Sequence, residues 1–264
     1  MGKAGAGKRS EKRPLLQTGI GKALFGLLVL AVACAGGYWF WQSQQPDTFY
    51  YRNMEMTALD GVERNTYIPQ AFVQGENGWI SYPDALQGVD VSVYQGEIDW
   101  QAVADAGVDF AIIRVGYRGY SQGAIQPDTN FQKNMEGALK AGLDVGVYFF
   151  SQATTVREAE EEADYVLEAI RNYPVTYPVV FDWERQNYSG SRTQKIPDTE
   201  TMCRMANAFC EEIQAEGYQP MVYFYQNLAY NNYDLSKIME HPFWLAQYTD
   251  YPSFYYDFEM WQYT

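Results

Sequence analysis

The chain has 264 residues, enough for one or two ordinary domains, and it is 47% hydrophobic and 17% aromatic, which excludes a disordered protein. Its formal net charge of −14 argues against nucleic acid as a partner. One histidine, His241, and three cysteines rule against an HExxH zinc site and a disulfide scaffold, so chemistry here falls to carboxylates.

The charge is unevenly spread. Residues 1–41 carry six basic side chains (Lys3, Lys8, Arg9, Lys12, Arg13 and Lys22) against Glu11, for +5, and residues 42–264 carry −19. The run Gly2–Lys8 imitates the start of a phosphate-binding loop, but Arg9 stands where a Ser or Thr would hold magnesium and no strand precedes it. Residues 1–22 read as a basic cytoplasmic tail. Ala23–Trp41 follows without a charge. As a helix it would span roughly 28 Å, about one bilayer core, with Tyr38, Trp39 and Trp41 as an interfacial belt. That predicts a single-pass signal anchor at the cell membrane, with the rest outside. Secretion after signal cleavage is the alternative, since Ala31-Val32-Ala33 has the small residues of a cleavage site.

Residues 42–87 start at a polar break, Gln42–Pro46, and keep no period, which predicts an extracellular linker or stalk. From Gly88 strand-like and helix-like runs alternate. The strands are 89–94, 110–117, 144–151, 178–184, 221–226, 243–248 and 259–263. Amphipathic helices are predicted over 100–106, 130–141, 156–171 and 199–216. This alternation points to a parallel sheet, and seven strands in so short a stretch favour a compact barrel. Cys203 and Cys210, seven residues apart on one helix, are too distant to pair and read as buried apolar residues.

In parallel α/β folds chemistry gathers at the carboxyl ends of strands. The strand Tyr177–Phe181 runs into Asp182-Trp183-Glu184. Asp182 and Glu184 are two apart, so they share a face with Cα atoms about 6.6 Å apart. Burial and mutual repulsion should leave one protonated and one ionised, the division of labour that cleaves glycosidic bonds. Two ordinary surface acids would fit the spacing as well. Asp90, within a run of valines, should face inward with Ser92. Tyr148 and Phe150 share one strand face, Tyr223 and Tyr225 another, and Trp261 lies in the last strand. Such aromatic faces suit sugar rings, and they suit core packing too.

These pieces together resemble the glycoside hydrolase family 25 lysozymes, the Chalaropsis-type muramidases. The match runs through D-V-S-V-Y-Q-G-E-I-D-W (90–100), F-A-I-I-R-V-G-Y (110–117), V-G-V-Y-F-F-S-Q-A (145–153), Y-P-V-V-F-D-W-E (177–184), G-Y-Q-P-M-V-Y (217–223), F-W-L-A-Q-Y (243–248) and M-W-Q-Y-T (260–264). It covers Gly88–Thr264, about two-thirds of the chain, and not residues 1–87.

The resemblance implies an α/β fold, an irregular TIM-like (β/α) barrel over 88–264 preceded by one transmembrane helix. It implies hydrolysis of the β-1,4 bond between N-acetylmuramic acid and N-acetylglucosamine in peptidoglycan. Glu184 matches the general acid, Asp182 the second carboxylate and Asp90 the first-strand aspartate. Arg114 holds a position that is often basic in the family and joins the aromatics as a substrate-binding residue. The partners expected are peptidoglycan glycan strands and the membrane, for a monomer with no cofactor and no metal. An acetamido, a carboxylate-nucleophile and an inverting route all remain open. Family members continue past W-Q-Y-T into a final strand carrying another active-site aspartate, so the barrel is expected to be C-terminally incomplete at Thr264. A non-catalytic glycan-binding module on the same scaffold is the alternative function.

Overall fold

A computed structural model describes residues 19–43 and 46–264. The basic residues and glycine run of the tail, through residue 18, lie outside the described residues. The chain forms two compact units, divided between Ala58 and Leu59.

In the first unit, α1 (Gly19–Ser43) is a single helix. Its window Ala23–Phe40 has a mean hydropathy of 2.0 and is long and apolar enough to cross a membrane by length and composition. A two-stranded hairpin follows, β1 (Thr48–Tyr51) on β2 (Met54–Thr57), with Tyr51 opposite Met54. Its turn residues Arg52 and Asn53 have φ of 48° and 64°, the left-handed pair that a two-residue hairpin turn requires.

The second unit, Leu59–Thr264, is built on one sheet. In chain order its elements are the hairpin β3 (Val73–Gln74) and β4 (Ile80–Ser81), then β5 (Gly88–Val91), α2 (Trp100–Asp105), β6 (Phe110–Arg118), β7 (Ile125–Pro127), α3 (Phe131–Lys140), β8 (Asp144–Ser151), α4 (Val156–Ile170), β9 (Val179–Trp183), α5 (Thr199–Ala215), β10 (Pro220–Tyr225), α6 (Gln226–Asn232), β11 (Phe243–Ala246) and β12 (Met260–Gln262). The sheet order is β12-β11-β10-β9-β8-β6-β5, with β7 antiparallel on β6 and every other pair parallel. The expected barrel is realised as a curled half-barrel: β5 and β12 form its two edges, and no backbone ladder joins them.

Local chemistry explains the elements. Every residue of β9 is buried, which is why its sequence is a continuous apolar run rather than an alternating one. The helices α2, α4 and α5 begin at Asp99, Thr155 and Asp198, whose side chains accept from backbone N–H groups in the first turn. The α5 face Met202, Cys203, Met205, Ala206, Phe209, Cys210 and Ile213 is buried, and Phe209 lies 5.2 Å from Phe181 of β9. Register shifts between Arg114 and Gly116 of β6, where a Cβ on Gly116 would stand 2.5 Å from the Gln126 carbonyl.

The predicted stalk 42–87 divides differently. From Leu59 onward it belongs to the barrel unit. Asn65 donates through its backbone to Tyr255 and through its side chain to Phe254. The Tyr67 ring lies 5.0 Å from Phe258, and Phe72 packs edge-on at 5.3 Å against Trp261. These residues dock one at a time along an irregular backbone, so no hydrophobic period marks them.

Candidate active site

The half-barrel interior is lined by alternate residues of each strand. Phe110, Ile112, Val180, Met221, Tyr223, Trp244 and Ala246 form its core, with Tyr148, Tyr225 and Met260 packed against it. The same alternation brings Asp90 of β5, Arg114 of β6, Tyr148 of β8, Asp182 of β9 and Gln262 of β12 to one end. Asp182 is in register with Phe150 on one side and Tyr223 on the other.

Asp182 is buried, and its Oδ1 has no hydrogen-bond partner. Glu184 follows the last residue of β9 and is half-buried. Between them Trp183 points away into the core and donates its indole N–H to the Ala153 carbonyl at 2.8 Å. Gln152 anchors the next step: its Nε2 donates to the Glu184 carbonyl at 2.6 Å, while its Oε1 accepts from Thr193.

Burial, then the charges of Glu184 and Asp90, push the Asp182 carboxyl well above the usual range, with Arg114 opposing. Burial raises Glu184 too; the Tyr223 hydroxyl counteracts this and Asp90 adds to it. Burial raises Asp90, while a hydrogen bond from Gln262 holds it down. Burial first and the nearby carboxylates second push the phenols of Tyr148 and Tyr223 up, so both stay hydrogen-bond donors at neutral pH. Burial and mutual repulsion thus disfavour the state with all three carboxyls ionised.

Arg114 is buried, donates through Nε to Asp128 at 2.7 Å, and lies 5.1 and 5.5 Å from the ring centres of Tyr94 and Tyr117. Asp128 also accepts from the backbone of Val93 and Asn130, so it fixes both the arginine and the turn after β5. Phe150 meets Tyr120 edge-on, and Tyr225 lies near Glu184.

Trp261 is set apart from this group. Met260 and Gln262 face the interior, so Trp261 faces the other way, donating to the Gln247 carbonyl and packing on Phe72 and Tyr263. Sequence reasoning passed over Gln262, Tyr248, Gln152 and Asp128. Counting by twos from Met260 is the signal that would have found Gln262. His241 precedes β11, at the strand end away from the carboxylates, and burial lowers its pKa. Among the described residues no three His, Cys, Asp or Glu side chains are grouped to hold a metal ion.

Residues 89–264 match the family model described as glycosyl hydrolases family 25. The chain is 28% identical over 189 residues to lysozyme M1 of Streptomyces globisporus, covering 68% of this chain and 62% of that protein. It is 24% identical over 163 residues to the autolytic lysozyme of Clostridium acetobutylicum, covering 62% of this chain and 45% of the relative. The chain thus spans about half the length of the curated relatives it matches. Among solved structures, the modular autolysin LytC of Streptococcus pneumoniae, in complex with a synthetic peptidoglycan ligand, superposes with a TM-score of 0.61 at 28% identity, covering 74% of this chain and 48% of that one. A family 25 glycosyl hydrolase from Bacillus anthracis superposes with a TM-score of 0.57 at 25% identity, covering 68% and 79%.

Proposed function

Since the chain belongs to glycosyl hydrolase family 25 through residues 89–264, we propose that it hydrolyses peptidoglycan at the β-1,4 bond between N-acetylmuramic acid and N-acetylglucosamine. The observation that carries the reading is the pair Asp182 and Glu184 at one strand end, both with raised pKa and both close to Asp90.

Glu184 is the more accessible of the two and serves as general acid, protonating the leaving glycosidic oxygen. Asp182, with its unpartnered buried Oδ1, orients the muramyl 2-acetamido group by accepting its N–H. The acetamido oxygen then attacks the anomeric carbon, and the ionised Asp182 balances the positive charge that develops. Glu184, now a carboxylate, takes a proton from water as that water opens the intermediate. Asp90 supports this cycle electrostatically. Arg114, Tyr148, Phe150, Tyr223 and Tyr225 bind the glycan, and Trp261 supports the wall beside it.

In this reading α1 holds the protein in the cell membrane as a single-pass anchor and the barrel unit works outside, as a monomer on glycan strands. Protease added to intact protoplasts would then remove the barrel unit and spare the tail. Free protein in the medium beginning near Cys34 would favour cleavage instead.

The test is turnover of purified peptidoglycan by the chain and by Glu184→Gln. The variant should fold and lose on the order of 10²–10⁴ in rate. Wild-type turnover by a folded variant overturns the assignment, and glycan binding without turnover by the unaltered chain favours the binding-module alternative.

A further inference from the structure

The interior face of β12 contributes one polar side chain, Gln262, which connects three elements of the site. Its Oε1 accepts from the Tyr223 hydroxyl at 3.0 Å and from the Tyr248 hydroxyl at 2.9 Å. Its Nε2 donates to Asp90 Oδ2 at 2.9 Å. Asp90 and Gln262 sit on the two edge strands, which share no backbone pairing, so this bond reaches across the opening of the half-barrel.

The orientation of that amide is determined by its neighbours. A carboxamide has an acceptor end and a donor end. In the arrangement observed, both phenols donate to its oxygen and its nitrogen faces Asp90. A flipped amide would set its carbonyl against the half-buried Asp90 carboxylate, acceptor against acceptor. Fixing the donor end fixes what Asp90 can be: an oxygen facing an N–H must accept, and a carboxylate accepts better than a protonated acid. Asp182, more deeply buried, has no such donor on its Oδ1.

We propose that Gln262 is a positioning residue that holds Asp90 as the hydrogen-bond acceptor, and hence as an ionised member, of the three-carboxylate site, through the amide orientation it adopts with Tyr223 and Tyr248. The inference rests on the glycosidase reading for its catalytic meaning. Its physical content, the protonation preference of Asp90, does not depend on that reading. The consequence is a division of labour: Asp90, like Asp182 in the proposed cycle, supplies negative charge, and the proton needed for acid catalysis is left to Glu184. Tyr248 is mostly exposed, so a sugar that displaces its hydroxyl would loosen one of the two bonds that orient the amide.

The test uses the full chain in detergent micelles and two substitutions. Gln262→Leu removes both amide ends. The Asp90 carboxyl, followed by ¹³C NMR and assigned with Asp90→Asn, should titrate about one pH unit higher than in the unaltered protein, and the acid limb of turnover against pH should move up with it. Gln262→Glu can replace the amide only while its own carboxyl carries a proton. Its activity should therefore be confined to the acid side, with the alkaline limb moving down. A part that only held the fold together would lower turnover without moving either limb. An unmoved Asp90 titration in folded Gln262→Leu overturns the proposal; if that variant does not fold, an unmoved alkaline limb in Gln262→Glu does so. If the unaltered chain shows no turnover, the glycosidase reading fails, while the Asp90 titration still decides the role of Gln262.

Discussion

The centre of the sheet and its edges hold their carboxylates in different ways. Asp182 sits on β9, a strand paired on both sides, wholly buried and covered by α5 through Phe209. Asp90 sits on β5, a four-residue edge strand paired only with β6, and its position across the opening depends on single side-chain bonds: Gln262 to Asp90, and Tyr263 to Gln87 at 3.2 Å. A ladder distributes the placement of a residue over many backbone bonds, whereas a stitch concentrates it in one. Substitutions at the centre should therefore act on global stability or on the chemistry itself, and substitutions at the edge should act locally.

Beyond the loss of turnover in Glu184→Gln, the largest effect is expected beside the central strands. Arg118 donates to Glu162 at 2.6 Å, both side chains buried, and caps the carbonyls of Gly123 and Glu158. Burial, partly offset by Ser151 and Arg118, pushes the Glu162 carboxyl up to about 7. Arg118→Met leaves that carboxyl without its partner, at a cost of about 3–5 kcal/mol. The cost should be smallest in acid, because a carboxyl raised on folding destabilises as pH climbs from its unfolded value through its folded one. Urea unfolding at acid and neutral pH measures both. A uniform loss below 1 kcal/mol would show that the pair is not the central clamp described.

Asp182→Asn should do the opposite at neutral pH. The Asp182 carboxyl is raised on folding, so the fold loses stability as pH rises from about 3.9 through the folded value. The neutral isostere escapes that loss. Its Tm should be about 2–4 °C higher at pH 7, with the difference vanishing below about pH 4, while turnover collapses. A lower Tm at pH 7 would mean that Asp182 holds structure rather than stored strain.

At the edge, Phe72→Ala removes the ring that packs on Trp261 and on Tyr82. The expected cost is about 1–3 kcal/mol, and hydrogen exchange should quicken over β12 and residues 67–82 while β9 stays protected. Equal loss of protection in β9 would erase the contrast between edge and centre.

The centre was also the more legible region. The strands over 110–117, 144–151 and 178–184 appear within a residue or two of their observed limits, because burial on both faces writes a continuous apolar run. The amphipathic helices are equally plain, since each buries one face and α2, α4 and α5 are capped by a side chain where they start. Asp90 could be placed by alternation along its strand. Trp261 could not be placed by residue type alone, because a tryptophan suits a sugar face and a packed wall equally well, and only the parity of β12 separates them. The docking of residues 59–87 left no mark either: Asn65 and Tyr67 act through individual bonds to backbone carbonyls, which no composition or period encodes. The tail before residue 19 lies outside the described residues, so its basic character stands as a reading of sequence.

Trp183 gives the two acids beside it a common mechanical history. Its indole is fully buried and bonded to the Ala153 carbonyl, and it occupies the one position between Asp182 and Glu184. The backbone that carries both acids is therefore held by a large ring set in close-packed core. The backbone positions of the acids are thus as firm as the interior of the barrel, although Glu184 itself meets solvent. On the glycosidase reading, a glycan entering this mouth would meet backbone positions already set.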